Sequence, residues 1–228
     1  MRTSIVIPVW NDALILDVCL KKIAAQDTFP EEVIIVDNGS EDNLAEVVRL
    51  YPELNMKILK EPRKGIPFAV VAGYDAAAGE MILRCDADSR VPPDWITRHH
   101  RTLTQAGPEV VAVSGVPHFG DRSTWWGTLA ALGYINLYRG VAGIFLHHPA
   151  LWGSNMALRR SWWLEVREGV HLSPRVHDDF DLSFRLREGE KILIDRHSVV
   201  QVSWRALSSP RRWWRQAVLA WGTIRANR

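Results

Sequence analysis

The 228-residue chain has only two cysteines, Cys19 and Cys85, and both fall inside apolar segments. A pair so placed reads as core thiols in a reducing compartment, not as a disulfide frame. No apolar run approaches the roughly 18 residues that suggest a spanning helix. The N-terminus enters a strand pattern at once, without a charged segment leading into a cleavable apolar one. Together these shortages set the expectation of a cytoplasmic protein. Neither sign of charge is in real excess: 28 Lys and Arg against 26 Asp and Glu leave a formal +2. That balance gives no footing for nucleic acid as a partner. The chain has no Gly-x-Gly-x-x-Gly after its first strand pattern and no Gly-x-x-x-x-Gly-Lys-Ser/Thr, which takes most of the weight from dinucleotide-binding and P-loop readings. Internal repeats and low-complexity segments are missing as well. What remains is an ordinary apolar fraction of 47% and an unusual eleven tryptophans, concentrated in the second half. The length and composition suit one sizeable globular domain with a substantial core.

The first half alternates two periodicities. Ser4–Val9, Glu32–Asp37, Met56–Leu59 and Met81–Cys85 are apolar runs of strand length. Between them, 12–26, 41–50 and 67–77 carry apolar residues at helical spacing or helix-boundary signals, with Ser40 expected to cap the second helix and Gly79 to close the third. Strands apolar on both faces and interleaved with helices imply a mostly parallel sheet covered on both sides. Right-handed crossovers bring the C-terminal ends of such strands to one edge, where ligands bind. Pro8, Asp37, Asp86 and Asp88 all fall at that edge. The stretch Glu80-Met81-Ile82-Leu83-Arg84-Cys85-Asp86-Ala87-Asp88 is the most telling. A buried strand runs directly into two carboxylates, which need neutralising where water is scarce. A divalent cation with a preference for oxygen, Mg²⁺ or Mn²⁺, is one such partner; a polar turn that caps the next helix explains the same residues.

Ser4-Ile5-Val6-Ile7-Pro8-Val9-Trp10-Asn11-Asp12, then Val36-Asp37-Asn38-Gly39-Ser40-Glu41-Asp42, then Asp86-Ala87-Asp88 closely resemble the inverting, GT-A fold glycosyltransferases of family 2. His177-Asp178-Asp179-Phe180-Asp181-Leu182-Ser183-Phe184-Arg185-Leu186 is similar to that family's Glu-Asp-x-Asp-Leu-x-x-Arg-Leu element. The resemblance implies a single GT-A domain over 1–228. It has a nucleotide-sugar-binding half (1–106), a smaller mixed acceptor-binding and catalytic half (107–206) and a basic, Trp-rich C-terminal helix (207–228). It implies a nucleotide site at Pro8, Val9, Trp10, Asn11, Asp37, Lys64, Asp86, Ala87 and Asp88, with Asp88 and Asp86 on Mn²⁺ or Mg²⁺. Asp179 is implied as catalytic base, Asp178 as runner-up, and Asp181 and Arg185 as their support. Two departures stand out. Valines occupy the Gly65–Gly73 positions where the family has Arg and Asn, so a diphosphate cation is expected from Arg63, Lys64 or Arg84. The His that many members use as third metal ligand is missing from 199–205, and His197 lies a few residues early.

In the second half, Val110–Val116 reads as a strand and Ser123–Tyr138 as an amphipathic helix, whose broad apolar face suits core packing or a lipid or acceptor surface. His147 and His148 have no partner at a metal-ligand spacing and read as loop residues. Gly153, Ser154 and Asn155 resemble the strand lining the acceptor cleft in the family; a turn explains them too. The acids Asp178, Asp179 and Asp181 open a helix expected to run to about Glu188, where they also suit the helix dipole. At the C-terminus, Ser209 and Pro210 open another helix. Trp214, Val218 and Trp221 form a stripe along it, and Arg212-Trp213 partly match a family element placed near acceptor and diphosphate. That helix suits either an interfacial contact with the inner face of a membrane or packing across the cleft.

An inverting transfer needs one base for the acceptor hydroxyl and no general acid, because a metal-neutralised nucleoside diphosphate leaves readily. The expected activity is therefore metal-dependent transfer of a sugar from a nucleotide donor to a hydroxyl acceptor: a glycan, a lipid or a small molecule. It would serve glycan, glycolipid or polysaccharide synthesis. UDP is the expected nucleotide, and a GDP-mannose/polyprenyl-phosphate type of transferase is the alternative. A nucleotidyltransferase would want a Gly-rich cationic loop after the first strand, which Pro8-Val9-Trp10-Asn11 is not. An inactive nucleotide-sugar binder would have no need of Asp86, Asp88 and Asp179 together.

Overall fold

The computed structural model describes residues 1–119, 142–203 and 209–228, with 129, 133, 136 and 140 from the intervening stretch. Most of the amphipathic helix expected over 123–138, the residues Trp204 and Arg205, and the side chains of Arg212 and Trp213 lie outside the described residues. The elements run β1 (Thr3–Val9), α1 (Ala13–Ala24), β2 (Glu32–Asp37), α2 (Leu44–Arg49), β3 (Met56–Lys60), α3 (Ile66–Ala76), β4 (Met81–Arg84) and α4 (Trp95–Gln105). They continue with β5 (Val110–Phe119), β6 (Met156–Arg159), α5 (Arg160–Val166), α6 (Asp178–Ser183), β7 (Lys191–Val202) and α7 (Pro210–Ala226).

One seven-stranded sheet carries the fold, in the order β3-β2-β1-β4-β6-β5-β7. Among the described strands only β6 runs against its neighbours, pairing antiparallel with both β4 and β5. The expected mostly parallel sheet with a mixed second half is what the chain forms. Register aligns Val9 with Asp37 and Val6 with Arg84, so β1, β2 and β4 end along one edge.

Both faces of the sheet are covered. Ile5, Ile7 and Val9 pack with Leu16, Leu20 and Ile23 of α1 and with Trp95 and Leu103 of α4. On the opposite face Val6, Ile34 and Val36 pack with Ala69, Val70 and Tyr74 of α3 and with Trp162 and Trp163 of α5. Gly73 is what lets α3 come this close: a Cβ there would lie 2.4 Å from Val6 Cγ1. The indole N–H groups of Trp95, Trp162 and Trp163 are satisfied within this core. Trp95 donates to Asn155 Oδ1 at 2.8 Å, Trp162 to Glu190 Oε2 and Trp163 to Asp75 Oδ1, both at 2.9 Å. Cys19 and Cys85 are buried free thiols, with Sγ atoms 3.9 Å apart.

Several boundaries depart from expectation. Ser40 does not cap α2, which begins at Leu44; its hydroxyl instead accepts from the Asn11 amide at 3.1 Å, tying the β1 loop to the β2 loop. The strand expected to end at Val116 continues to Phe119 in β5. The residues 152–155 form a turn before β6, and α6 stops at Ser183. The last strand begins at Lys191 and is irregular: β5 pairing skips from Ile194 to Val199. His197 sits in that irregularity, exposed, its amide bonded to Asp195. It lies outside the lining of the cavities described next.

Candidate active site

Two adjoining cavities open along the strand-end edge. The first, about 420 Å³, is lined by Pro8, Val9, Trp10, Lys64, Asp86, Ala87 and Asp88, with Asn38 and Arg215. Trp10 is 56% exposed, and Lys64 Nζ lies 5.7 Å from its ring centroid. A flat indole beside a cation is a surface on which an aromatic base can stack while phosphates approach the cation. Lys64 is placed by Asn38. The Asn38 amide donates to the Glu61 and Arg63 carbonyls at 3.0 and 2.7 Å and its Oδ1 accepts from Gly65 N at 2.8 Å. Gly65 itself sits at φ 140°, a conformation that favours glycine.

Of the residues expected on this side, Asn11 and Asp37 lie outside the cavity lining. Asn11 Oδ1 accepts from the Glu41 amide at 2.8 Å, and Asp37 Oδ1 accepts from Ser40 N at 2.7 Å. Both fix loops. Of the three cations considered for a diphosphate, Arg63 pairs with Glu61 at 2.8 Å, and Arg84 is buried beneath the cleft. Lys64 alone of them lines the first cavity. Arg215 of α7 lines both cavities, as a C-terminal helix packed across the cleft would place it.

The second cavity, about 280 Å³, shares Asp86, Asp88 and Arg215 with the first and adds Gly153, Ser154, His177, Asp178 and Asp179. Arg84, the last residue of β4, holds this floor together. It pairs closely with Asp178 and lies 3.4 Å from Asp86 Oδ1. Burial works against its charge, yet Asp178 keeps it protonated far beyond any accessible pH. Gly153 lies directly over the guanidinium: a Cβ would be 2.4 Å from Arg84 Nη1. Ser154 donates its hydroxyl to Asp86 Oδ2 in a short contact.

Asp179 is 4% exposed. Its Oδ2 accepts from Gly153 N at 2.7 Å, and its Oδ1 lies 2.6 Å from His177 Nδ1. Burial alone would raise this carboxyl, but the charge and hydrogen bond of His177, with the Arg84 charge and the Gly153 amide, together hold Asp179 down at about 2. Burial would likewise lower His177; the adjacent Asp179 carboxylate instead lifts it to about 9. Asp178, less buried, is raised by desolvation in spite of Arg84.

His177, Asp178 and Asp179 can bring one ligand atom each within 4.8 Å of one another. These three side chains are engaged with one another and with Arg84. The acids at the cavity junction, Asp86 and Asp88, offer only hard oxygen donors, the set that suits Mg²⁺ or Mn²⁺.

Three expected site residues are placed differently. Asn155 does not line the cleft; it is fully buried, bonded to Trp95, to His99 Nε2 at 3.0 Å and to the Ser198 carbonyl at 2.9 Å. Asp181 is fully buried and holds His171 and Asn227. Arg185 turns to the Gly169 carbonyl at 2.8 Å. His147 and His148 line neither cavity.

A search against protein families matches residues 4–166 to "Glycosyl transferase family 2". An undecaprenyl-phosphate 4-deoxy-4-formamido-L-arabinose transferase of Serratia proteamaculans is 30% identical over 132 residues, 55% of this chain and 39% of that protein. Glycosyltransferase AglE of Haloferax volcanii is 31% identical over 114 residues, 47% and 37% of the two chains. The chain spans about two fifths of the length of these curated relatives. Among solved structures, a mannosyltransferase of Pyrobaculum calidifontis in complex with GDP-Man and Mn²⁺ superposes with a TM-score of 0.73 at 24% identity, covering 95% of this chain and 61% of that one. Glucosyl-3-phosphoglycerate synthase of Mycobacterium tuberculosis, with Mn²⁺, UDP and product, gives 0.70 at 14% identity, covering 99% and 79%. These likenesses establish the same fold. With the family match spanning most of the chain and the sheet order and strand-end carboxylates in place, this protein belongs to glycosyltransferase family 2.

Proposed function

We propose that this chain transfers a sugar from a nucleoside diphosphate donor to an acceptor hydroxyl, with inversion and in dependence on Mn²⁺ or Mg²⁺. One observation carries the reading. Asp86 and Asp88, from the end of β4, share a cleft with Asp178 and Asp179, about ninety residues later in the chain. The first cavity takes the nucleotide, its base against Trp10 and its phosphates toward Lys64 and Arg215. Asp88, with Asp86, would hold the divalent cation, which when bound neutralises charge on the diphosphate. The sugar and acceptor occupy the second cavity. The acceptor oxygen attacks the anomeric carbon from the side away from the diphosphate. Its proton passes to an Asp179 oxygen as the bond to the leaving phosphate breaks. Both Asp179 oxygens already accept one contact, but a carboxylate has about four lone-pair sites. Asp178 stays with Arg84 and shapes the floor.

A second reading, transfer to a polyprenyl phosphate, is favoured by the low basicity of Asp179. A phosphate monoester is largely ionised at neutral pH, its second pKa being about 6, and needs no strong base. The undecaprenyl-phosphate transferases among the relatives agree with it. A panel of UDP- and GDP-sugars, with and without Mn²⁺, tests the first proposal by thermal shift and by sugar transfer to alcohol and polyprenyl-phosphate acceptors. Metal-dependent stabilisation by at least one donor is expected. No stabilisation by any nucleotide sugar would refute it.

A further inference from the structure

The C-terminal helix α7 has two faces with different chemistry. Its inner face grips the catalytic segment. His177 Nε2 lies 2.9 Å from Gln216 Oε1, His177 N donates to Thr223 Oγ1 at 2.7 Å, and Asn227 Nδ2 donates to Asp181 at 2.7 Å. Thr223 and Ile224 are buried, and Gly222 lies so close to the Arg175 carbonyl that a Cβ would be 2.2 Å from it. The outer face is left to solvent: Trp214 is 72%, Val218 49% and Trp221 61% exposed. At intervals of four and three residues these three lie on one side of the helix. Arg211 and Arg225, both exposed, flank them three residues before Trp214 and four after Trp221. From Arg196 to the end the sequence has seven arginines and no acid.

Two open indoles and a valine are costly to leave in water. Indoles between arginines match the boundary between lipid headgroups and acyl chains, where the ring is half-buried and the cation meets lipid phosphate. We propose that this outer face of α7 seats on an anionic lipid bilayer. The inference rests on exposure and charge, not on the transfer reaction. Because Arg215 of the same helix lines both cavities, a docked α7 puts the cleft beside the lipid surface. An acceptor carried by a lipid would then reach the second cavity without leaving the bilayer.

Vesicle flotation with the full chain tests this directly, using phosphatidylcholine alone and phosphatidylcholine mixed with phosphatidylglycerol. Binding is expected to the mixed vesicles only, with a blue shift of tryptophan emission, and to weaken as salt rises. Arg211→Gln/Arg225→Gln should bind roughly 25-fold more weakly, about fivefold per arginine near an anionic surface. Trp214→Ser/Trp221→Ser should also lose binding, and both variants should keep the melting temperature because these side chains are exposed. Failure to float with anionic vesicles at low salt would overturn the proposal, as would undiminished binding by both variants. A self-associated protein that the tryptophan variant converts to monomer, without lipid binding, would assign the face to a second copy instead. None of these outcomes bears on donor binding, so the docking role and the transferase reading fail separately.

Discussion

Arg84→Met isolates what holds the floor of the cleft. The substitution keeps much of the side-chain volume and removes the charge that Asp178 and Asp86 share. Asp178 is only one tenth exposed, so its carboxylate would be stranded in a poorly solvated place. Breaking a buried pair by removing one partner costs about 3–5 kcal/mol; the partial exposure of Asp178 and Asp86 puts the expectation at the lower end, about 3 kcal/mol. The sign of the pH dependence follows from the carboxyl. Unpaired, Asp178 has a folded pKa still further above its ordinary 3.8, so the penalty grows as pH rises above 3.8 and fades as pH falls toward it. Urea denaturation at neutral and mildly acidic pH, followed by tryptophan emission, reads both quantities. Arg84→Met/Asp178→Asn should regain more than half of the loss, since a neutral amide replaces the stranded charge. A single variant losing less than about 1 kcal/mol, the size of an exposed pair, would refute the reasoning. So would a double variant no more stable than the single.

Gly153→Ala puts a methyl 2.4 Å from a guanidinium that two carboxylates pin. Overpacking of this kind costs about 1–3 kcal/mol, and with Gly153 N displaced from Asp179 the transfer rate should fall as well; an unchanged melting curve would show the site has slack. Asp88→Ala should abolish metal-dependent nucleotide-sugar binding and leave the fold intact, and calorimetry showing unchanged Mn²⁺-dependent affinity would remove Asp88 from the metal site. The His177–Asp179 pair gives an alkaline limit to stability. With a folded pKa of about 9 against 6.5, protonated His177 stabilises fully below pH 6.5 and loses that contribution as pH rises through 9. At about 1.4 kcal/mol per pH unit the contribution is roughly 3–4 kcal/mol, and His177→Gln should flatten the decline measured by denaturation between pH 7 and pH 10.

The strands of the first half were legible because a sheet buried on both faces leaves continuous apolar runs, as at Ile5–Val9 and Val33–Val36. Their order then brought Pro8, Asp86 and Asp88 to one edge with no further information. Elements with mixed composition escaped. Residues 95–105 are dominated by polar and basic side chains around a few buried anchors, and α5 is only seven residues long. Asn155 was misplaced because a Gly-Ser-Asn turn reads the same whether its amide faces a cleft or a core; only the packing of Trp95, His99 and Ser198 decides. His177 carried no sequence signal of its own, and the place of Arg215 depended on which way its helix packs. His177 acquires its role through Gln216 and Thr223, some forty residues away, and Arg215 acquires its role from the way α7 crosses the cleft.

The proposed transfer divides the labour: acids at the end of β4 would bind the donor, and Asp179 would take the proton. Measuring donor Kd by calorimetry and kcat by transfer to a hydroxyl acceptor for Asp179→Asn tests it most directly. The amide preserves size and the bond from Gly153 but takes no proton at neutral pH. The donor Kd should stay close to that of the unaltered protein and kcat should fall by about 10²–10⁴-fold, the usual range for a lost general base. Asp178→Asn should be milder. Transfer by Asp179→Asn at near-native rate with Asp178→Asn inactive would contradict the assignment and move the base to Asp178.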